Sequence, residues 1–150
     1  MTGVTLIRRI RARPSIVFDA LSTPEGLTRW WGPDDLPVIA AEADARVGGA
    51  FRVRFPTADG HEHECAGEFL EIQRPERIIL SWRWTVGGTP EEQGRTSRVE
   101  FWLRPIGDGT ELTLIHTDLR DESSARDHGG GWGGALTKLA RIYTMSGDAS

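Results

Sequence analysis

Residues 127–139 read Asp127-His128-Gly129-Gly130-Gly131-Trp132-Gly133-Gly134-Ala135-Leu136-Thr137-Lys138-Leu139, and they admit two incompatible folds. Gly129, Gly131 and Gly134 satisfy G-x-G-x-x-G, the loop that cradles a dinucleotide pyrophosphate in a doubly wound α/β sheet. Against this, Trp132, Ala135, Leu136, Leu139, Ala140 and Tyr143 fall at i, i+3, i+4, i+7, i+8 and i+11, the apolar stripe of an amphipathic helix. The nucleotide fingerprint needs a further strand bearing an acid about 20 residues on, and only sixteen residues follow Gly134. No G-K-[ST] occurs for a P-loop. The helix reading prevails, although five glycines in six positions each cost ~1 kcal/mol relative to Ala there. The expected compensation is steric. Glycine keeps the first turns thin, so that Trp132 alone projects from them, and leaves that end loose enough to act as a gate.

Upstream the hydrophobic period changes from 3.6 to 2. VTLIRRIRA (4–12) alternates as a strand and is ended by Arg13-Pro14. PSIVFDALS then reads as a short helix with Pro14 in its first turn, and Thr23-Pro24-Glu25 starts a second, EGLTRWW, which Gly32-Pro33 stops. Strands follow at VIAAEADA (38–45), AFRVRF (50–55), HECAGEFLEI (63–72), RIILSWRWTV (77–86), SRVEFWLR (97–104) and TELTLIHT (110–117). A loop, GGTPEEQGR (87–95), separates two of them. The connections are too short for crossover helices, so neighbouring strands run antiparallel. The fold class is α+β, a single domain over residues 1–150. A curved antiparallel sheet of about six to seven strands wraps a long C-terminal helix, with two short helices after strand 1.

Composition removes several function classes. Hydrophobic residues at 38% and charged residues at 27% suit a soluble globular chain. The net charge is −4 with arginines and acids interspersed, so no basic track marks a nucleic-acid partner. No apolar run approaches the ~20 residues of a membrane span. MTGVTLIRRIRARP has no signal-peptide core, and one cysteine, Cys65, cannot make an internal disulfide. The expected location is cytoplasmic. Six tryptophans against one tyrosine call for a cavity wall or an interface, because indole needs a large surface to bury against.

Several motifs resemble one known family. Pro14–Pro33, PSIVFDALSTPEGLTRWWGP, is similar to its helix pair ending in Trp-Trp, and VGGAFRVRF (47–55) to its Gly-Gly before a strand. GEFLEIQRPERIILSW (67–82) matches its G-x-x-x-E-I-x-x-P-x-R-I stretch. DGTELTLIHTDL (108–119) and His128-x-x-Gly131-Trp132-x-x-x-Leu136-x-x-Leu139 complete the set in order. The chain resembles the START-like, helix-grip superfamily (SRPBCC), which includes the birch pollen allergen and polyketide cyclases. Within it, the chain is most similar to bacterial proteins related to the C-terminal domain of the activator of Hsp90 ATPase. The resemblance implies a cavity between sheet and long helix. Alternation then names its expected wall: Phe51, Val53, Phe69, Leu80, Trp82, Trp84, Phe101, Leu114 and His116 from the sheet, Trp132, Leu136 and Tyr143 from the helix, and Trp30 or Trp31 near the mouth.

Candidate chemistry is sparse. His61-x-His63-x-Cys65 has zinc-type ligands on one side of a strand, but ~6–7 Å apart, which is far for one small ion; no metal and no cofactor are expected. His116 faces inward and is the candidate general acid or base, with Glu68, Glu71 and Asp118 as acidic companions and His128 at the start of the long helix. Trp102 faces outward among Arg52, Arg54, Arg83 and Arg98, the composition of an interface, while Arg83 and Arg98 could instead pair with Glu100. The leading expectation is non-covalent binding of an apolar small molecule, aromatic or lipid-like. A cyclase-, aromatase- or hydrolase-like enzyme using His116 is the second reading. A module acting on an Hsp90-like chaperone, as the family name suggests, is the third. A homodimer through the outer sheet face or the loops is a further expectation.

Overall fold

Strand alternation carries most of the chain into one sheet. The computed structural model describes residues 2–87 and 95–149, so most of the 87–95 loop lies outside the described residues. The order is β1 (Thr2–Ile10), α1 (Pro14–Ser22), α2 (Pro24–Leu27), β2 (Ala40–Ala43), β3 (Ala50–Pro56), β4 (Glu62–Gln73), β5 (Arg77–Val86), β6 (Ser97–Ile106), β7 (Gly109–Leu119) and α3 (Glu122–Ala149). The strands form one seven-stranded sheet in the order β1-β7-β6-β5-β4-β3-β2, every pair antiparallel. With one long helix at the end and two short ones after β1, this is the helix-grip architecture.

One face of each of the strands β3 to β7 supplies the core. Phe51, Val53, Phe69, Leu80, Trp82, Val99, Phe101, Leu112 and Leu114 are all buried. Helix α3 answers with a continuous buried stripe, Ser124, His128, Trp132, Ala135, Leu136 and Leu139, at helical spacing. Val17, Phe18 and Leu21 of α1 close the remaining side.

The second helix is shorter than EGLTRWW. It stops at Leu27 after a Thr23 cap, whose hydroxyl accepts the Gly26 N–H at 3.0 Å. The reason lies in the next residues. Trp30 and Trp31 are both buried, and adjacent helical positions point about 100° apart. Leaving the helix lets both rings turn inward, with Trp30 Nε1 donating to the Ala20 carbonyl at 2.9 Å.

The outer face is a lattice of short-range charge pairs. Arg98 bonds Glu100 two residues along the same strand at 3.1 Å rather than across strands. Glu100 also accepts the Trp102 Nε1–H at 2.8 Å, and Arg77 lies 4.7 Å above the Trp102 ring. Trp102 is 37% exposed. Arg52 pairs with Glu42 and Glu64, and Arg54 with Glu62.

Candidate functional site

Between the N-terminal half of α3 and the β3–β5 end of the sheet lies a cavity of about 250 Å³. Trp31, Phe55, Trp82, Trp84 and Trp132 form its aromatic wall, with Ala135 and Gly131 on the helix side. Gly32 and Pro33 supply a lip; Thr57, His63, Arg120, Ser124, Asp127 and His128 are its polar members. The rings interlock. Trp82 stacks on Trp31 at 5.5 Å and meets Trp132 at 5.1 Å and Trp84 edge-on at 5.8 Å.

The glycines of α3 decide how close the lip comes. A Cβ on Gly134 would stand 2.3 Å from the Pro33 carbonyl oxygen, so only glycine permits this approach. A Cβ on Gly131 would meet nothing nearer than Pro33 Cβ at 3.9 Å, and the missing side chain is cavity space. The lip is pinned from the helix by Lys138, whose ammonium donates to the carbonyls of Trp31 (3.1 Å) and Asp34 (2.6 Å). Partial burial lowers the Lys138 pKa, opposed by Asp35 and Asp34. On its other side the Asp34 carboxylate accepts the Ala58 N–H at 2.7 Å, tying the lip to the β3–β4 turn.

The expected wall divides. Trp31, Trp82, Trp84 and Trp132 line the cavity. Trp30, Phe51, Val53, Phe69, Leu80, Phe101, Leu114 and Leu136 are buried in the core behind it, and Tyr143 is half-buried farther along α3. Alternation names the face of a strand, not the depth along it, and the aromatic block around Trp30 and Trp132 fills the middle of the concave face. Phe55 shares the face of Phe51 and Val53, so it was open to the same reading. Ser124, His128 and Gly131 extend the helical stripe toward its N-terminus and could be found by it. His63 stands near the start of β4 on the same side as Cys65, where alternation puts it, whereas Thr57 and Arg120 enter through the β3–β4 turn and the loop before α3, which periodicity does not place.

His116 does not reach the cavity. It is 0% exposed and is held at both ring nitrogens. Trp132 Nε1 donates to Nδ1 at 3.0 Å, and Ser97 Oγ stands 2.7 Å from Nε2. Burial, and secondarily the neighbouring His128, hold its pKa well below the usual imidazole range. Glu68 and Asp118 are exposed and Glu71 pairs with Arg77, so none serves as its companion. The histidines on the cavity wall are His128 and His63. The His61-His63-Cys65 run separates as well. His61 is exposed, His63 stacks on Phe55 at 5.6 Å, and Cys65 is fully buried, where loss of solvent pushes its thiol pKa well up.

A helix gripped by a curved seven-stranded sheet, with space left between them, defines the START-like class. A family model described as activator of Hsp90 ATPase homolog 1-like protein matches residues 11–144, and the chain belongs to that family. Among solved structures it is similar to an AHSA1 protein from Silicibacter pomeroyi, 26% identical with a TM-score of 0.83, over 97% of this chain and 99% of that one. A protein from Chromobacterium violaceum is 27% identical with a TM-score of 0.79, over 95% and 98% of the two chains. An AHSA1-like protein from Aeromonas hydrophila, 20% identical with a TM-score of 0.75 over 97% and 94%, shares the fold. No curated protein matches in sequence. Among the described residues no helix is long and apolar enough to cross a membrane.

Proposed function

We propose that the protein binds a small, uncharged apolar molecule, one or two aromatic rings in size, in the cavity between α3 and the β3–β5 end of the sheet. The observation that carries this reading is the indole-lined space of about 250 Å³, which side chains leave unfilled although interiors of this size are normally close-packed. An engineered apolar cavity of about 150 Å³ already admits benzene. The cavity's wall therefore suits a bicyclic ring better than a long lipid chain. Binding is favoured over turnover at His116 because that buried imidazole offers no free nitrogen: Trp132 and Ser97 occupy both its positions, and a general base needs a lone pair within reach of substrate.

Naphthalene is a suitable probe. It should quench the tryptophan fluorescence and raise the melting temperature, by about 2.7 kcal/mol of added stability at a hundredfold excess over Kd. Gly131→Leu places a side chain where the ligand would lie, and should remove both effects while the circular dichroism stays native. Naphthalene binding undiminished in Gly131→Leu would overturn the reading.

A further inference from the structure

Hydrogen bonding in the site assigns protons as well as positions. An indole N–H can only donate, so His128 Nε2, which receives Trp84 Nε1 at 3.1 Å, carries a lone pair. The His128 proton is then on Nδ1, which donates to the Ser124 carbonyl at 2.8 Å. By the same rule His116 accepts at Nδ1 from Trp132 and donates from Nε2 to Ser97 Oγ. Both rings are neutral, each locked in one tautomer by a tryptophan, with centroids 4.9 Å apart. Of these two, His128 borders the cavity and His116 does not.

We propose that the Trp84–His128 hydrogen bond is a proton-operated latch on the cavity: a proton taken up at His128 Nε2 turns the acceptor into a donor, expels the Trp84 N–H and so releases an apolar ligand in acid. The release step rests on the binding reading above; the latch belongs to the unliganded protein. The proton comes from solvent through the cavity, the ring becomes an imidazolium, and its Nδ1–H bond to Ser124 is kept. Two donors facing each other at this distance repel. Trp84 is free to respond, since it is half-buried and its neighbours Phe55, His63 and Trp82 meet only its ring face or edge.

The charged and titratable groups around His128 come from four elements. His116 faces it from β7 and His63 from β4, while Arg120 and Asp121 stand at the entry to α3 and Asp127 beside it on the helix. Asp121 is already engaged, accepting the Ser124 N–H at 2.9 Å and pairing with Arg120. His116 does not share the proton, because its burial disfavours the cation. His63 is the rival sensor, since it lines the same cavity.

Indole and imidazole resonances of the unliganded protein, followed from pH 7.5 to 4.5, test the latch directly. The Trp84 indole signal should move with the His128 ring titration. In parallel, naphthalene, uncharged throughout, should bind about tenfold more weakly at the acid end, the cost of one broken hydrogen bond. His128→Gln keeps an amide oxygen for Trp84 without titrating, and should flatten both curves. His63→Gln should keep the wild-type pH dependence, whatever its affinity at neutral pH. The latch is overturned if Trp84 stays still while His128 titrates, if His128 does not titrate in this range, or if His128→Gln shows the same acid loss. Failure of naphthalene to bind at any pH would remove the ligand reading and leave the indole titration to decide the latch.

Discussion

At Leu136 and Leu139 α3 is packed against a filled core, whereas from Ala135 back toward its N-terminal end the same helix borders empty space. What differs is the helix: Leu136 and Leu139 occupy one half, and Ser124, Gly131 and Ala135 the other. Trp132 is the boundary, touching Trp30, Trp31, Trp82 and Phe101 at ring distances of 5.1 to 6.4 Å. The cavity lies where the helix withholds volume.

The comparison can be broken at that boundary. Trp132→Ala should join the two halves into one void and strip His116 of its donor, costing about 3–5 kcal/mol in urea unfolding. Trp84→Ala removes a ring that is half-buried and already beside space, and should cost less than half as much. Equal losses would mean that the open half is as tightly packed as the closed one.

A smaller effect follows at the lip. Gly134→Ala drives a methyl group to 2.3 Å from the Pro33 carbonyl, so lip and helix must separate, at a cost of about 1–3 kcal/mol. Lys138 then loses its grip on Trp31 and Asp34, and naphthalene should enter and leave faster.

How much of this was legible beforehand depends on the length scale of the signal. RIILSWRWTV predicts β5 and buries Ile78, Leu80 and Trp82 as alternation has it, because a period of 2 is local. Ile79 on the other face is buried too, and a register shift pairs Val86 with Glu64. The same alternation placed His116 inward, and inward it is, but it could not say that Trp132 and Ser97 stand on its two nitrogens. Those contacts join residues on α3, β6 and β7 and exist only after folding. GGGWGG declared unusual backbone needs, yet gave all its glycines the same weight. Only the approach of Pro33, a hundred residues away in the chain, separates Gly134 from Gly130.

His116 also makes acid stability a probe of the closed half. Its folded pKa lies well below the ordinary value because of burial, so below about pH 6.5 the unfolded chain takes up a proton that the folded one refuses. Stability is therefore fully present above that pH and declines as pH falls toward the folded pKa, by at most about 1.4 kcal/mol per pH unit. His63, half-buried and shifted the same way, adds less. The slope should shrink in His116→Gln; an unchanged slope would assign it to other groups.

The smallest effect has the opposite sign. A Cβ on Gly130 meets no atom within 4 Å, and the position is exposed. Nothing in the packing requires glycine there, so Gly130→Ala should recover helix propensity, about 1 kcal/mol, and raise the melting temperature by a few degrees. Gly133→Ala should behave alike, its nearest neighbour being the end of the Arg8 side chain at 3.8 Å. If the loose first turns of α3 serve ligand entry, the double substitution should also slow naphthalene association in stopped-flow fluorescence while leaving equilibrium affinity nearly unchanged. Faster or equal association in the stabilised helix would leave these two glycines without a part in entry, and would confine the glycine requirement to Gly131, which makes room, and Gly134, which lets the lip come close.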